Sequence, residues 1–217
     1  ANATKTPTKV EYLSNISAIS SARLYNCALT TGGAAQCFGN NEFGQVGQRE
    51  TINTGLKAIS SGYQHTCAID TNNQLKCWGN SANNRLGAGT LPTSFTRVTK
   101  VTTDNRGASV QALRGEQSGT GTLLSDVSKV SSGGSHTCAI ADTDKQLYCW
   151  GNNIYGRLGN ESALSSNTPK KTKYLNYDNT KPLLTGVEYI SNGINHSCAL
   201  RKHPTFNINW VYCWGYN

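Results

Sequence analysis

Apolar and polar positions alternate over short stretches of this chain, and no stretch holds the 3.6-residue period of an amphipathic helix. Val, Ile and aromatic residues trade places with Gly, Asn and Ser, the pattern of short strands separated by turns. The prediction is an all-β chain. The stretches also recur. Four segments read AISSARLYNC, AISSGYQHTC, KVSSGGSHTC and YISNGINHSC, ending at Cys27, Cys67, Cys138 and Cys198. Each is followed by a second cysteine in QCFGN, KCWGN, YCWGN or YCWGY, at Cys37, Cys77, Cys149 and Cys213. Between Cys67 and Cys77, AIDTNNQLK supplies a short apolar strand, an Asp-Thr-Asn-Asn turn and a second strand, so the unit contains a β-hairpin. A pattern that returns four times makes this a repeat protein.

The repeat also decides how the cysteines pair. Eight of them allow about 105 arrangements. Internal symmetry favours Cys27 with Cys37, Cys67 with Cys77, Cys138 with Cys149, and Cys198 with Cys213. Opposed residues of a hairpin lie near enough for such bridges. Zinc is the rival reading, but structural zinc sites usually draw on cysteines about two to four residues apart, and no such pair occurs. A bridge closing a loop of about ten residues contributes roughly 2.5 to 3 kcal/mol in the chain-entropy model. Four would approach about 10 kcal/mol, comparable with the roughly 5 to 15 kcal/mol that holds an ordinary domain together. Disulfides persist in oxidising surroundings, so the expected location is extracellular, periplasmic or the cell surface.

Composition narrows the picture further. No apolar run nears the roughly 18 residues of a membrane helix, so no membrane insertion is expected. With no secretory signal and no initiator methionine, the chain reads as a mature form or, in preference, a segment of something longer. Twenty Lys and Arg against 12 Asp and Glu give a net charge of +8, which attracts anionic partners over about a Debye length without naming them. Sequons occur at Asn2, Asn15, Asn160 and Asn195. A glycan at Asn195, beside the His196-Ser197-Cys198 strand, would obstruct folding, which favours a bacterial source.

After the second cysteine three units run on in parallel, as FGNNEFGQVG from Phe38, WGNSANNRLG from Trp78 and WGNNIYGRLG from Trp150. With these residues in view, the chain resembles the regulator of chromosome condensation repeat family. Its unit runs Ile, two small residues, Gly, His, Ser or Thr, then strand, turn, Trp, Gly, Asn and a Gly-Gln-Leu-Gly run. The best matches are Ile59, Gly62, His65, Trp78, Gly79, Asn80, Leu86 and Gly87. The resemblance covers nearly the whole chain and implies a β-propeller of four-stranded blades, in a disulfide-bearing variety of the kind associated with extracellular bacterial proteins. The first unit departs from the pattern, read with Asn26 where the others have His65, His136 and His196, and with Phe38 in place of tryptophan.

The expected architecture is one propeller domain over residues 1–217, with units at about 10–48, 56–90, 127–160 and 187–217. Residues 6–21 look like the second half of a unit and the C-terminus stops after a first half. The two ends are therefore expected to share a blade and close a four-bladed ring. The other reading is an arc cut from a longer propeller, with two open sheet edges and a tendency to associate.

Equivalent first cysteines lie 67 − 27 = 40, 138 − 67 = 71 and 198 − 138 = 60 residues apart, so against a unit of about 40 the second and third connections carry insertions. These span about 91–126 and 162–186, at corresponding points of their units and so on one propeller face. Long loops on a rigid frame are where recognition sits. The first carries Arg97, Lys100, Arg106 and Arg114, and the second Lys170, Lys171, Lys173, Tyr174, Tyr177 and Lys181. Tyrosines supply rigid flat contact area and lysines attract phosphate, sulfate or carboxylate groups. These ten are the candidate ligand-binding residues; the plainer reading is that the loops only solubilise.

The repeated histidines invite a metal hypothesis, but each lies two residues before a cysteine, on the same strand face, and structural hydrogen bonding is the preferred reading. No catalytic motif of the GxSxG, HExxH or GxxxxGK[ST] type occurs, Asp70, Asp142 and Asp144 fall in turns, and no enzyme and no cofactor are expected. Three functions stay open. The first is a non-catalytic surface recognition module, adhesin-like, engaging a glycan or protein of another cell. The second is an inhibitor or partner of a secreted enzyme. The third, a nucleotide-exchange factor or chromatin binder, is disfavoured because the densest basic run, Lys170 to Lys173, is too thin for a nucleic-acid track.

Overall fold

In the computed structural model, residues 5–47, 54–87, 89, 110–111, 113–114, 122–124 and 126–216 are described. Each repeat folds as an antiparallel meander. The first holds β1 (Ile16–Ser21), β2 (Tyr25–Thr30) and β3 (Ala35–Gly39). The second holds β4 (Leu56–Ser61), β5 (His65–Asp70), β6 (Leu75–Gly79) and a short β7 (Val110–Gln111). A two-stranded ribbon of β8 (Leu113–Arg114) and β9 (Thr122–Leu123) follows. The third repeat holds β10 (Lys129–Ser132), β11 (His136–Ala141), β12 (Gln146–Gly151) and β13 (Ser166–Lys171). The fourth holds β14 (Val187–Asn192), β15 (His196–Lys202) and β16 (Asn209–Gly215). The fold is all-β, four blades in sequence order.

Turn chemistry closes each central hairpin. In the second, the Asp70 carboxylate accepts from the backbone N–H groups of Asn72 and Gln74 at 2.9 Å, and Asn73 takes a φ of 62°. Such an Asx turn reverses the chain without a glycine. The register then sets cysteine against cysteine: Cys27 opposes Cys37, Cys67 opposes Cys77, Cys138 opposes Cys149 and Cys198 opposes Cys213. Cα separations of 4.0 to 4.1 Å fit closely opposed strand residues, and all four bridges are formed as the repeat predicts.

Apolar side chains fill the spaces between consecutive blades. Leu29, Ala35, Leu56 and Trp78 form one cluster between the first and second blades. Ile69, Leu75, Leu86, Tyr148 and Trp150 join the second to the third, and Ile140, Leu147, Leu158, Leu184 and Val187 the third to the fourth. Polar groups at the same junctions repeat a single wiring. Trp78, Trp150 and Trp214 donate their indole N–H to the backbone carbonyls of Gln45, Arg85 and Arg157 of the preceding blade, at 2.8 to 3.0 Å. The Thr66, Thr137 and Ser197 hydroxyls donate to the same three carbonyls. Because Thr137 and Ser197 spend their protons there, they accept from His65 Nε2 at 2.8 Å and His136 Nε2 at 2.9 Å, which assigns the proton of each imidazole to Nε2. Ser20, Ser60 and Ser131 hydroxyls accept the backbone N–H of Ser61, Ser132 and Asn192.

The glycine three residues before each histidine has a steric cause. A Cβ at Gly62 or Gly133 would lie 2.3 Å from the imidazole Cε1 of His65 or His136. In the first blade the register puts Tyr25, not Asn26, at the histidine place: Tyr25 opposes Gly39 as His65 opposes Gly79. Its longer ring reaches the His65 carbonyl at 2.5 Å and Thr66 Oγ1 at 2.9 Å, with Ala22 where the other units have glycine.

One other expectation changes. The segment 162–186 is not all loop, since β13 within it pairs with β12 as the blade's outer strand, and β7 likewise extends the second blade from within 91–126. Among the described residues β1 pairs with β2 and β16 with β15, an arrangement consistent with a closed ring.

Candidate ligand-binding site

Two departures from the basic unit meet at the junction of the third and fourth blades. The first follows β13. Lys173 bridges to Leu183, the Tyr174 N–H donates to the Pro182 carbonyl at 3.1 Å, and the Asn176 N–H donates to the Thr180 carbonyl at 2.9 Å. Residues 173–183 thus form a small hairpin whose tip is held by Asp178, accepting from the Thr180 N–H at 2.9 Å and from its hydroxyl. Those bonds hold the exposed Asp178 carboxyl below its usual range, the Thr180 hydroxyl foremost. The second departure is the β15–β16 hairpin, whose cysteines are separated by 15 residues where the other three pairs have 10, 10 and 11. Its extra length carries Arg201 opposite Trp210 and a turn in which His203 Nδ1 accepts from the N–H groups of Thr205 and Phe206.

Side chains from the two hairpins converge. On the strand pair, Arg201, Trp210 and Tyr212 share the face turned toward the third blade. Tyr212 meets Tyr174 edge-on at 5.2 Å between ring centres, Trp210 lies 6.5 Å from Tyr212, and His203 stands perpendicular to Trp210 at 4.4 Å. The Arg201 guanidinium sits 4.7 Å from the Tyr174 ring and 5.9 Å from Trp210, and its Nε donates to the Thr185 carbonyl at 2.9 Å. This cation–π arrangement ties one hairpin to the other. Between them opens a cavity of about 660 Å³ lined by Tyr174, Leu175, Asn176, Tyr177, Asn179, Asn209, Trp210, Val211 and Tyr212. That is within the roughly 300 to 1,000 Å³ of small-molecule sites.

Of the residues predicted to bind, the structure brings Tyr174 and Tyr177 together here and leaves the cations elsewhere. Lys173 and Lys181 both pair with Glu161, at 2.5 and 2.9 Å, and hold its carboxyl below the usual range. Lys170 and Lys171 are strand residues of β13, opposite Cys149 and Tyr148. Arg97, Lys100 and Arg106 lie outside the described residues, and Arg114 falls on β8 with its side chain outside them. Sequence reasoning missed Trp210, Tyr212 and Asn209, although the lengthened spacing between Cys198 and Cys213 marks where they lie.

The repeat wiring finds its counterpart among known proteins. Models of the Regulator of chromosome condensation (RCC1) repeat match residues 56–85 and 127–157, and residues 144–200. The chain belongs to the regulator of chromosome condensation repeat family. The positions that match, Gly62, His65, Trp78 and their equivalents, are those that build the blade junctions. Among solved structures, human WBSCR16 is 18% identical with a TM-score of 0.59, over 91% of this chain and 46% of its own. Prp20p from Saccharomyces cerevisiae is 19% identical with a TM-score of 0.56, over 84% and 43%. The CRINKLY ectodomain of the Arabidopsis thaliana receptor kinase ACR4 is 16% identical with a TM-score of 0.50, over 92% and 49%. The chain thus spans less than half the length of these structures, and the likeness is one of fold. No curated protein sequence matches it.

Proposed function

We propose that this RCC1-repeat chain is a non-catalytic recognition module, displayed on a cell surface or secreted, which engages a partner on another cell through the cavity between its third and fourth blades. The observation that carries this reading is the convergence of two departures from the basic unit, an added hairpin and a lengthened one, on one aromatic-lined cavity. Four disulfides in one small propeller support an oxidising location, and no helix of the described residues is long and apolar enough to cross a membrane. A receptor ectodomain with the same fold accords with such a location. The Prp20p structure is described with binding to Gsp1p and histones. That role is less favoured here, because Lys173 and Lys181 are neutralised by Glu161 and a nucleic-acid or histone-type surface needs a dense charged track.

Fluorescently labelled chain incubated with intact bacterial and animal cells tests the reading. Binding is expected to at least one cell type, falling at least tenfold for a Tyr177→Ala/Trp210→Ala double variant and staying unchanged for Lys9→Ala, an exposed residue outside the cavity lining. Binding indifferent to the double substitution would rule the cavity out as the recognition surface.

A further inference from the structure

We infer that the cavity between the third and fourth blades takes a neutral saccharide, with a pyranose ring stacked on Trp210 or Tyr177 and its hydroxyls met by the carboxamides of Asn176, Asn179 and Asn209. The inference rests on the recognition reading above and specifies its ligand.

A pyranose presents a patch of C–H groups on one face and a rim of hydroxyls, each both donor and acceptor. Its complement is a flat aromatic surface bordered by groups that also donate and accept. The lining has that composition. Tyr177 is fully exposed at the hairpin tip and Trp210 half-buried on the opposite wall, so each offers ring area to a ligand. Carboxamides donate through nitrogen and accept through oxygen. The Asn176 carboxamide oxygen is taken by the Tyr177 N–H at 3.0 Å, which turns its NH₂ to donation. Among the described residues, those of Asn179 and Asn209 have no protein hydrogen-bond partner.

Charge separates neutral from acidic sugars. No Asp, Glu, Lys, Arg or His is among the residues lining the cavity. On the flanking strand Arg201 is held by the Thr185 carbonyl and by the rings of Tyr174 and Trp210, while Lys173 and Lys181 face Glu161. A sialylated or sulfated ligand would bring a charge into a cavity whose lining carries no cation to meet it. A purely hydrocarbon ligand would cover Leu175 and the rings but leave the Asn176 NH₂ and the Asn179 carboxamide without partners, a cost a hydroxylated ligand does not meet. The order of the hairpins fits as well: His203 and Phe206, 4.7 Å apart, continue the aromatic row beyond Trp210, so a chain of sugar units has a track past the first ring.

The test uses the whole chain on an array of neutral hexose and N-acetylhexosamine oligosaccharides together with sialylated and sulfated ones, alongside cells treated with periodate or with protease. Neutral spots are expected to bind, with at least tenfold loss for Trp210→Ala and for an Asn176→Ala/Asn179→Ala variant. Asn179 is exposed and Asn176 half-buried, so the second variant's thermal midpoint is measured as the control on folding and is expected to match the parent. Cell binding should be lost after periodate and survive protease. Binding confined to sialylated or sulfated spots overturns the inference. So does cell binding that needs Trp210 but persists after periodate and vanishes with protease, an outcome that leaves the recognition reading standing. Cell binding untouched by Trp210→Ala, or absent altogether, overturns both.

Discussion

At the scale of single residues, the repeat motif is a parts list for the blade junction. The glycine makes room for an imidazole, the histidine donates to a hydroxyl of the following blade, and the tryptophan donates back to a backbone carbonyl. All of these letters were readable; what they do was not, because the hydrogen-bond partners lie 33 to 72 positions away. In the first unit the residue two before the cysteine is Tyr25, so Asn26 is misplaced there by one, and the strand register sets Tyr25 at the histidine place, its hydroxyl pushed up to about 12 chiefly by burial. Burial has the opposite sign for the histidines: it leads in driving His65 well below its ordinary value, with Arg85 adding to it, and His136 down to about 3, with Arg157 adding to it. Both are neutral when folded and titrate near their ordinary value when unfolded, so the unfolded chain binds more protons below about pH 6.5 and stability falls as pH drops. Between pH 7.5 and 5 the loss is about 2 kcal/mol for each histidine. Asp70, whose carboxyl the Lys76 ammonium and turn N–H groups keep low, acts only at more acid pH. Urea midpoints at pH 7.5 and 5 should show this fall, reduced by about half in His136→Gln. A pH-independent midpoint across that range would contradict the burial of neutral imidazoles assigned here.

At the scale of elements, hairpin length decides what a blade can do. Central hairpins with cysteines 10 or 11 residues apart end near the blade's body, whereas the fourth runs on and carries Trp210 out beside the 173–183 hairpin. The extension shows in cysteine spacing. Its meeting with the third blade does not, because β13 hides in SNTPKK, a polar run containing Pro169 that lacks strand alternation and is tolerated only at a sheet edge. Taking that run for loop left Lys170 and Lys171 among the candidate ligands. A graft tests the separation of frame from function: replacing residues 199–212 by AIDTNNQLK, residues 68–76, returns the spacing to 10. The grafted chain is expected to form its fourth disulfide and melt within a few degrees of the parent, since the Trp214 and Ser197 contacts to Arg157 stay in place, yet to bind no cells. A graft that still binds would move the recognition surface elsewhere.

At the scale of the whole molecule, four stapled hairpins dock in series, each blade's disulfide face covered by the next. Cys67, Cys77, Cys138 and Cys149 are fully buried in this way, and Cys138 Sγ lies 3.9 Å from Ser197 Oγ of the fourth blade. The fourth blade's own disulfide face is the open one, with Cys213 and Val211 exposed, as is Ile19 on the first blade. Fold, oxidising location and the placing of the cavity all follow from one arrangement: a bridge inside every unit and none between units. Peptide mapping of the unreduced, alkylated protein by mass spectrometry measures this directly. The account predicts four linked peptide pairs, Cys27–Cys37, Cys67–Cys77, Cys138–Cys149 and Cys198–Cys213, with no alkylated cysteine. Free thiols, or a bridge joining two different units, would contradict it.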